Sequence, residues 1–572
     1  MTAMPRTTVT DVLACFEDEF TDFAEGFCRG EYLMWLGSGI SRGVVPGVPM
    51  LLQKMLEFLR ANIDEADPTC RFRKAFDEVL EVAGVPAATR ADLDLASPVD
   101  TWRDLDDIVN CLVSQYSDVL NVQVRDEAED FLVWVGLDVP TTYGASSLEP
   151  DVEHLCVAIL MLEGVVRSAP TTNWDGLVEA AMQRLVGDAD RFLRVVVAAA
   201  DFREDERQSE LVKFHGCAVR TAADEGKYRN RLIARRSQIS GWTTKPENRL
   251  MKNRLEYLFA TRSAFIVGLS AQDADIHTVL HQASQNLVRS WPTSPPAVVF
   301  AEQSLHYHHK HVLQVTYGDS YAANADAIGE SALLGAFAKP ALVALVLFTL
   351  TDKLCVLIAS ISELSLSDGD LERVRADLRS LRDLVGGLTD SDPREFVEAM
   401  VSGIAFALTV FRTGRVPDAA NVLFQQISLA PVREAVGNPD FPAAALGRLA
   451  IVVSLLGRGM TEGLWRLALG TPFCPGDGVV RITIGHHTAR VFVVADSRSL
   501  SQLEVDGVVD LDDDGAVVIQ AEAPQAPSTR SPRTRYGRTG AGGARWIDLE
   551  GLCATVSTAD ELFEAFRHEA VL

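Results

Sequence analysis

Residues 32–41 read YLMWLGSGIS, and no other stretch restricts the fold as much. Five apolar residues, Tyr32 to Leu36, stop on Gly37, as a strand buried on both faces does when it reaches the edge of a parallel α/β sheet. Gly37 and Gly39 then open a turn. A backbone without Cβ atoms can lie close to a phosphate there, with amide N–H groups and the start of a helix supplying the positive end. Taken alone, the turn fits a ligand-free connection equally well. A dinucleotide fingerprint of the dehydrogenase kind needs a third glycine where this chain has Arg42, which disfavours that variant.

At 572 residues the chain is too long for one core. Its 47% hydrophobic and 23% charged residues are ordinary for a soluble globular protein. The formal net charge of -26 argues against a general nucleic-acid-coating surface, because phosphates are repelled. Nine cysteines are scattered without a C-x-x-C pair, so neither a disulfide framework nor a four-cysteine zinc ribbon is indicated, and a reducing cytoplasm is the expected compartment. The first twenty residues lack the apolar segment of a signal peptide. The most apolar run, Pro340 to Thr351, lies between Lys339 and Asp352, at about half the ~20 residues a spanning helix needs, and is expected to be a buried helix.

Along the chain, residues 8–30 predict a helix with Phe16, Phe20, Phe23 and Phe27 on one stripe. Helical periodicity returns from Met50 to Ile63, after Pro46 and Pro49, and persists to about residue 170, which predicts a helical insertion after the first strand. Strands are then expected at Phe192 to Ala199, Leu211 to Phe214, Ala264 to Val267, Ala297 to Phe300 and His311 to Val315, with a helix from Ile276 to Val288. Their carboxyl ends carry Asn173, Asp175, His215, Ser270 and Asp273. That edge is where open α/β sheets bind ligands. Singly, Asn-x-Asp is most often a helix cap and His-Gly a satisfied buried histidine.

Together, G-S-G-I-S at Gly37 to Ser41, T-T-N-W-D at Thr171 to Asp175, H-G at His215 and Gly216, and G-L-S at Gly268 to Ser270 resemble the sirtuin family over roughly residues 30–320. The resemblance implies a Rossmann-like parallel sheet that takes NAD as its substrate. On it, Gly37, Ser38, Gly39, Ile40 and Ser41 hold the pyrophosphate. Thr172, Asn173 and Asp175 meet the nicotinamide end, His215 is the general base, and Gly268, Ser270 and Asp273 lie on the adenosine side. Asn173, Asp175 and His215 are the catalytic candidates. The chemistry is consistent, since loss of nicotinamide develops positive charge on the ribose that a carboxylate or amide dipole stabilises.

Two departures narrow the reading. Protein-deacetylating sirtuins carry four zinc cysteines after the His-Gly strand, whereas residues 217–264 contain only Cys217, so no zinc is expected. Ser38 and Thr172 replace the alanine and glutamine of the family pattern. The G-L-S-A-Q-D-A-D-I variant resembles the bacterial sirtuin-like NAD hydrolases of antiphage defence, which deplete NAD in abortive infection. That resemblance implies a homo-oligomer and a partner such as a HerA-type ATPase, a short Argonaute or a phage protein trigger, without general nucleic-acid or membrane binding. An NAD or ADP-ribose sensing scaffold is the alternative, and protein deacylation or ADP-ribosylation is a weaker third.

Three features stand outside the motifs. Lys227 to Arg254 holds nine basic residues against Glu247, read as a solvated helix face or a basic edge for a phosphate or partner. His277, His281, His306, His308, His309 and His311 invite a metal claim, but no metalloprotease glutamate follows His277, and no metal site is expected. Residues 326–472 read as a helical domain, with Leu371 to Val385 amphipathic and Phe406 to Phe424 like a helix-turn-helix unit. Residues 473–572 read as β-rich, with strands at Val480 to Ile484, Arg490 to Val494, Val505 to Val509 and Ala516 to Ile519, and a mobile loop about 521–544.

Overall fold

The fold is given by a computed structural model that describes residues 5–145, 147–202, 208–287, 289–361, 364–389, 391–417, 422–470, 477–510, 513–523 and 543–572. Six strands form one parallel sheet: β1 (Tyr32–Leu36), β2 (Ser168–Thr171), β3 (Leu193–Val196), β4 (Ser209–Lys213), β5 (Ser263–Val267) and β6 (Val298–Ala301). Their order is β3-β4-β2-β1-β5-β6. β1 is central, with Leu36 beside Thr171 on one flank and Tyr32 to Leu36 in register with Ser263 to Val267 on the other. The chain winds away from β1 in both directions, so the switch point of this Rossmann-like sheet falls at its carboxyl end.

Alternation along β1 explains why its residues are all apolar. Met34 and Leu36 face one core with Phe16, Phe23, Phe27 and the helix Ala338–Ala359, whereas Leu33 and Trp35 face another with Leu255, Ile276 and Leu313. Both faces are covered by helices, and burying each large apolar side chain stabilises by about 1.5–3 kcal/mol. Phe23 packs 5.0 Å from Tyr32 and 5.1 Å from Phe265, centroid to centroid. The insertion between β1 and β2 is helical, as expected, and has its own core around Leu52, Met55, Phe76 and Leu112, which also takes in Ala218 and Leu232 from beyond β4.

The remainder is largely helical, with a second, separate sheet near the carboxyl terminus. It comprises β7 (Arg466–Leu469), β8 (Val480–Ile484), β9 (His487–Val494), β10 (Ala516–Gln520) and β11 (Arg545–Asp548) in the order β11-β10-β9-β8-β7. β7, β8 and β9 are antiparallel, whereas β9, β10 and β11 are parallel. β7 falls within the stretch read as helical. A buried seam joins the end of the helix Val152–Leu162 to the segments that follow the first sheet: the Lys353 ammonium donates to Glu163 Oε2 at 2.6 Å and to Ser428 O at 3.0 Å, and Ile427 N–H donates to Glu163 Oε1 at 3.1 Å.

Several local expectations change. Residues 8–30 form two helices, Val9–Phe16 and Thr21–Cys28, because the acids Glu17, Asp18 and Glu19 oppose the negative end of a continuing helix. His311 to Val315 is not a strand but part of the helix Tyr307–Tyr317, where Val312, Leu313 and Tyr317 are buried at helical spacing. The helix after β5 spans Ala274–Asn286. Val505 to Val509 is not a strand either: Asp496 caps the helix Ser497–Val505, and Gly507 turns the chain at a φ of 68°. The helix containing Phe406 ends at Thr413, and described residues 422–428 are not helical, so the helix-turn-helix reading fails there. Most of the loop about 521–544 lies outside the described residues.

The apolar run at Pro340 belongs to a 22-residue helix that continues through Lys339, Asp352 and Lys353, longer than its flanking charges suggested. This helix, Pro393–Thr413 and Ala443–Thr461 are long and apolar enough to cross a membrane by length and composition; in this fold 72%, 33% and 67% of their apolar windows are buried.

Candidate functional site at the carboxyl edge of the six-stranded sheet

The turn after β1 is locked to the turn after β5. Gly37 N–H donates to Val267 O at 2.9 Å and Gly39 N–H to Gly268 O at 2.8 Å. A Cβ on Gly37 would stand 2.4 Å from Gly268 O, one on Gly39 2.6 Å from the Gly268 Cα, and Gly268 itself has a φ of 65°. These three glycines are therefore required by the contact of one loop backbone with the other. Ser38 stays exposed and Gly39 half-exposed on the outer side of the turn, while Ile40 is buried.

Ser41 is fully buried at the centre of a polar cluster. Its hydroxyl donates to Asp175 Oδ2 at 3.0 Å and accepts from Asn173 Nδ2 at 3.4 Å, with His154 Nε2 at 3.1 Å. His154 Nδ1 accepts from Asp151 N–H at 3.2 Å, so the neutral ring carries its proton on Nε2 and donates to Ser41. Burial lowers the His154 pKa, against the pull of Asp175 and Asp151, which favours that neutral form. Ser41, given to the pyrophosphate by the resemblance, thus spends its hydroxyl on three protein partners.

Asn173 donates from Nδ2 to Gly37 O at 3.2 Å, and its backbone N–H donates to Thr171 Oγ1 at 3.0 Å. A carbonyl only accepts, so this contact fixes which way the carboxamide points. Its Oδ1 is buried and has no partner. A buried acceptor left unpaired costs about 1–3 kcal/mol unless a ligand or water completes it. Thr172 is half-buried beside it. Asp175 is satisfied on both oxygens, since Oδ1 accepts from Leu177 N–H at 3.2 Å at the start of the helix Leu177–Val186. Its backbone carbonyl accepts from the buried Lys213 ammonium, which also meets Glu179 Oε1 at 2.5 Å.

His215, at the end of β4, is buried and its Nε2 lies 2.8 Å from Asp275 Oδ2. The carboxylate only accepts, so Nε2 bears the proton and Nδ1 is the basic nitrogen of the neutral ring. Burial pulls the His215 pKa down, but Asp275 and then Asp273 outweigh it, and the net shift is upward. Asp273 accepts a hydrogen bond from the Tyr116 hydroxyl, which the helical insertion supplies. Burial raises the Asp273 pKa, against opposition from His215 and Tyr116. Ser270 is exposed on the same loop, and Gly268 half-exposed.

The structure thus brings the glycine turn, Asn173, Asp175 and Ser41 into one bonded group, and His215 and Asp273 into another with Asp275. His154, Asp275, Lys213 and Tyr116 were missed as site residues. Asp275 was legible from its place two residues after Asp273, whereas His154 and Tyr116 sit in the insertion with no motif to mark them. Among the described residues, the one group of three whose ligand atoms all lie within 4.8 Å of one another is His215, Asp273 and Asp275; no cysteine joins such a group. Of the six histidines weighed for a metal, His309 Nε2 is bonded to Leu269 O at 2.8 Å, and His277 packs 4.8 Å from His311 and 5.7 Å from His308 by ring centroids.

A parallel sheet with buried polar groups converging at its switch point places this chain in the α/β class whose ligands bind at that edge. Residues 167–318 match the sequence family described as a SIR2-like domain, which makes this sheet domain sirtuin-like. The match takes in Asn173, His215 and Gly268, and the glycine turn before it is bonded to the matched β5 loop. No curated protein matches the chain.

Proposed function

We propose that the chain is an NAD glycohydrolase that cleaves NAD to nicotinamide and ADP-ribose, and that it acts in the cytoplasm in bacterial antiphage defence. The observation that carries this reading is the unpartnered Asn173 Oδ1, buried at the switch point beside a glycine turn. In the reaction the nicotinamide–ribose bond breaks with its electron pair going to nicotinamide, a water oxygen bonds to the ribose carbon, and the water gives up a proton.

Asn173 Oδ1 accepts from a ribose hydroxyl or from that water, and its amide group is held for the task by Gly37 O and Ser41 Oγ. Asp175 sets a negative charge under the reacting ribose. His215 Nδ1 takes the proton while Asp275 steadies the ring. Ser38, Gly39, Ser270 and Asp273 complete the binding surface for the pyrophosphate and adenosine. Because NAD loss is toxic, the activity is held in check by a homo-oligomeric assembly or a partner such as a HerA-type ATPase, a short Argonaute or a phage protein.

The test is to incubate purified full-length protein with NAD, alone and with infected-cell lysate, and to quantify nicotinamide and ADP-ribose for wild type and His215→Ala. Equal amounts of both products, lost on substitution, support the hydrolase. NAD bound without nicotinamide release in either condition would replace it with the sensing-scaffold reading.

A further inference from the structure

The basic run from Lys227 to Arg254 sorts into two groups. Arg229 pairs with Asp130 and Glu225, Arg235 with Glu129, and Arg236 with Asp118, which ties this segment to the helical insertion. Lys252 pairs with Glu256 and Arg254 with Glu210. Lys227, Arg231 and Lys245 have no carboxylate partner among the described residues, and all three line one cavity of about 220 Å³. The fourth cation of the run without a carboxylate partner among the described residues, Arg249, lies outside it.

The cavity opens at the carboxyl ends of β3 and β4. Two aromatic rings are among its lining: Phe214 and Trp242 pack 5.7 Å apart, and the indole N–H is already spent on Phe214 O at 3.1 Å. Glu247 is the one acid among the lining residues. Three of the four cations of this segment without a carboxylate partner among the described residues therefore gather around this hollow. Aromatic rings beside cations that have no carboxylate partner among the described residues fit a ring that carries a phosphate, and the volume is below the ~300 Å³ of a typical drug-sized site.

We propose that this cavity is a second binding site, for a small phosphorylated ligand made of one ring and one phosphate, with Arg231 and Lys245 holding the phosphate and Phe214 and Trp242 packing on the ring. It is distinct from the Asn173 site and does not depend on NAD cleavage. His215 is not among its lining residues, although the ring of Phe214, which is, packs 4.7 Å from the His215 ring.

The experiment is titration calorimetry on the full chain with adenosine monophosphate, ribose 5-phosphate and inorganic phosphate. Binding by wild type of at least one ring-bearing probe is expected, weakened at least tenfold by Arg231→Ala and by Lys245→Ala and unchanged in Asn173→Ala. Arg231→Lys should restore part of the affinity. Both cations are solvent-accessible, and matched melting curves establish that the variants fold. Absence of binding for every probe at millimolar concentration overturns the proposal. Binding that survives Arg231→Ala but disappears in Asn173→Ala also overturns it, by moving the ligand to the switch point. Binding of inorganic phosphate with equal affinity and no gain from a ring removes the assignment of ligand class.

Discussion

The two sheets both run parallel strands toward a carboxyl edge, yet those edges differ in chemistry. At the five-stranded sheet three polar groups of that edge are bonded to their own backbone or neighbours: Asp496 caps the helix after β9, Asp548 accepts from Gly551 N–H at 3.1 Å, and Gln520 Nε2 donates to Ser497 Oγ at 3.1 Å and Glu522 O at 2.7 Å. At the six-stranded sheet, Asn173 Oδ1 is buried with no partner, and His215 is raised by two carboxylates gathered around it. Strand direction alone therefore does not make a site. An incomplete hydrogen-bond inventory, held rigidly, does.

The largest effect is expected at the seam that joins the first sheet to the helices beyond it. Lys353 and Glu163 are both buried, so Lys353→Ala leaves a buried carboxylate uncompensated and should cost about 3–5 kcal/mol. Denaturant melts followed by fluorescence and circular dichroism should then separate into two transitions, letting each sheet be compared alone. A single unshifted transition would contradict the seam.

Next, Gly39→Val drives a branched side chain into Gly268 and should destabilise by about 1–3 kcal/mol while disturbing the Asn173 amide through the shared turn. Thermal melting together with NAD binding checks it. A smaller effect, about tenfold in rate, is expected for Asp275→Asn.

The pH profile gives that variant its signature. His215 is raised in the folded state, so its charged pairing with Asp275 stabilises below the ordinary histidine value and is lost as pH rises through the raised one. A base must be unprotonated, so wild-type activity should climb through a pH above the ordinary histidine value. Asp275→Asn should move that limb to lower pH and weaken the fold mainly on the acid side. The smallest effect is for Gln520→Ala at the other sheet, about 1 kcal/mol in stability with unchanged nicotinamide release. A large loss of release there would break the contrast between the edges.

Much of the first sheet was legible because its strands are short apolar runs ended by glycine or by small polar residues, and β1 falls at Tyr32 to Leu36 as its composition dictates. His311 to Val315 and Val505 to Val509 were misread because three apolar residues in a stretch of five set no period of their own, and packing decides between helix and strand. Asn173 and His215 were marked by their neighbours in sequence. His154 and Tyr116 reach the site through helices of the insertion, more than a hundred residues from Ser41 and Asp273 respectively, and nothing local marks such partners. The glycines were read correctly as backbone requirements, but the group that demands them is the loop after β5.

The central claim is tested most directly at Asn173. NAD binding and nicotinamide release should be measured together on wild type and Asn173→Ala, under the condition that activates wild type. Loss of release by a factor of about 100 to 1000, with NAD affinity kept, is the predicted result, because the acceptor acts on charge and position in the transition state. Release by Asn173→Ala at the wild-type rate would contradict the account.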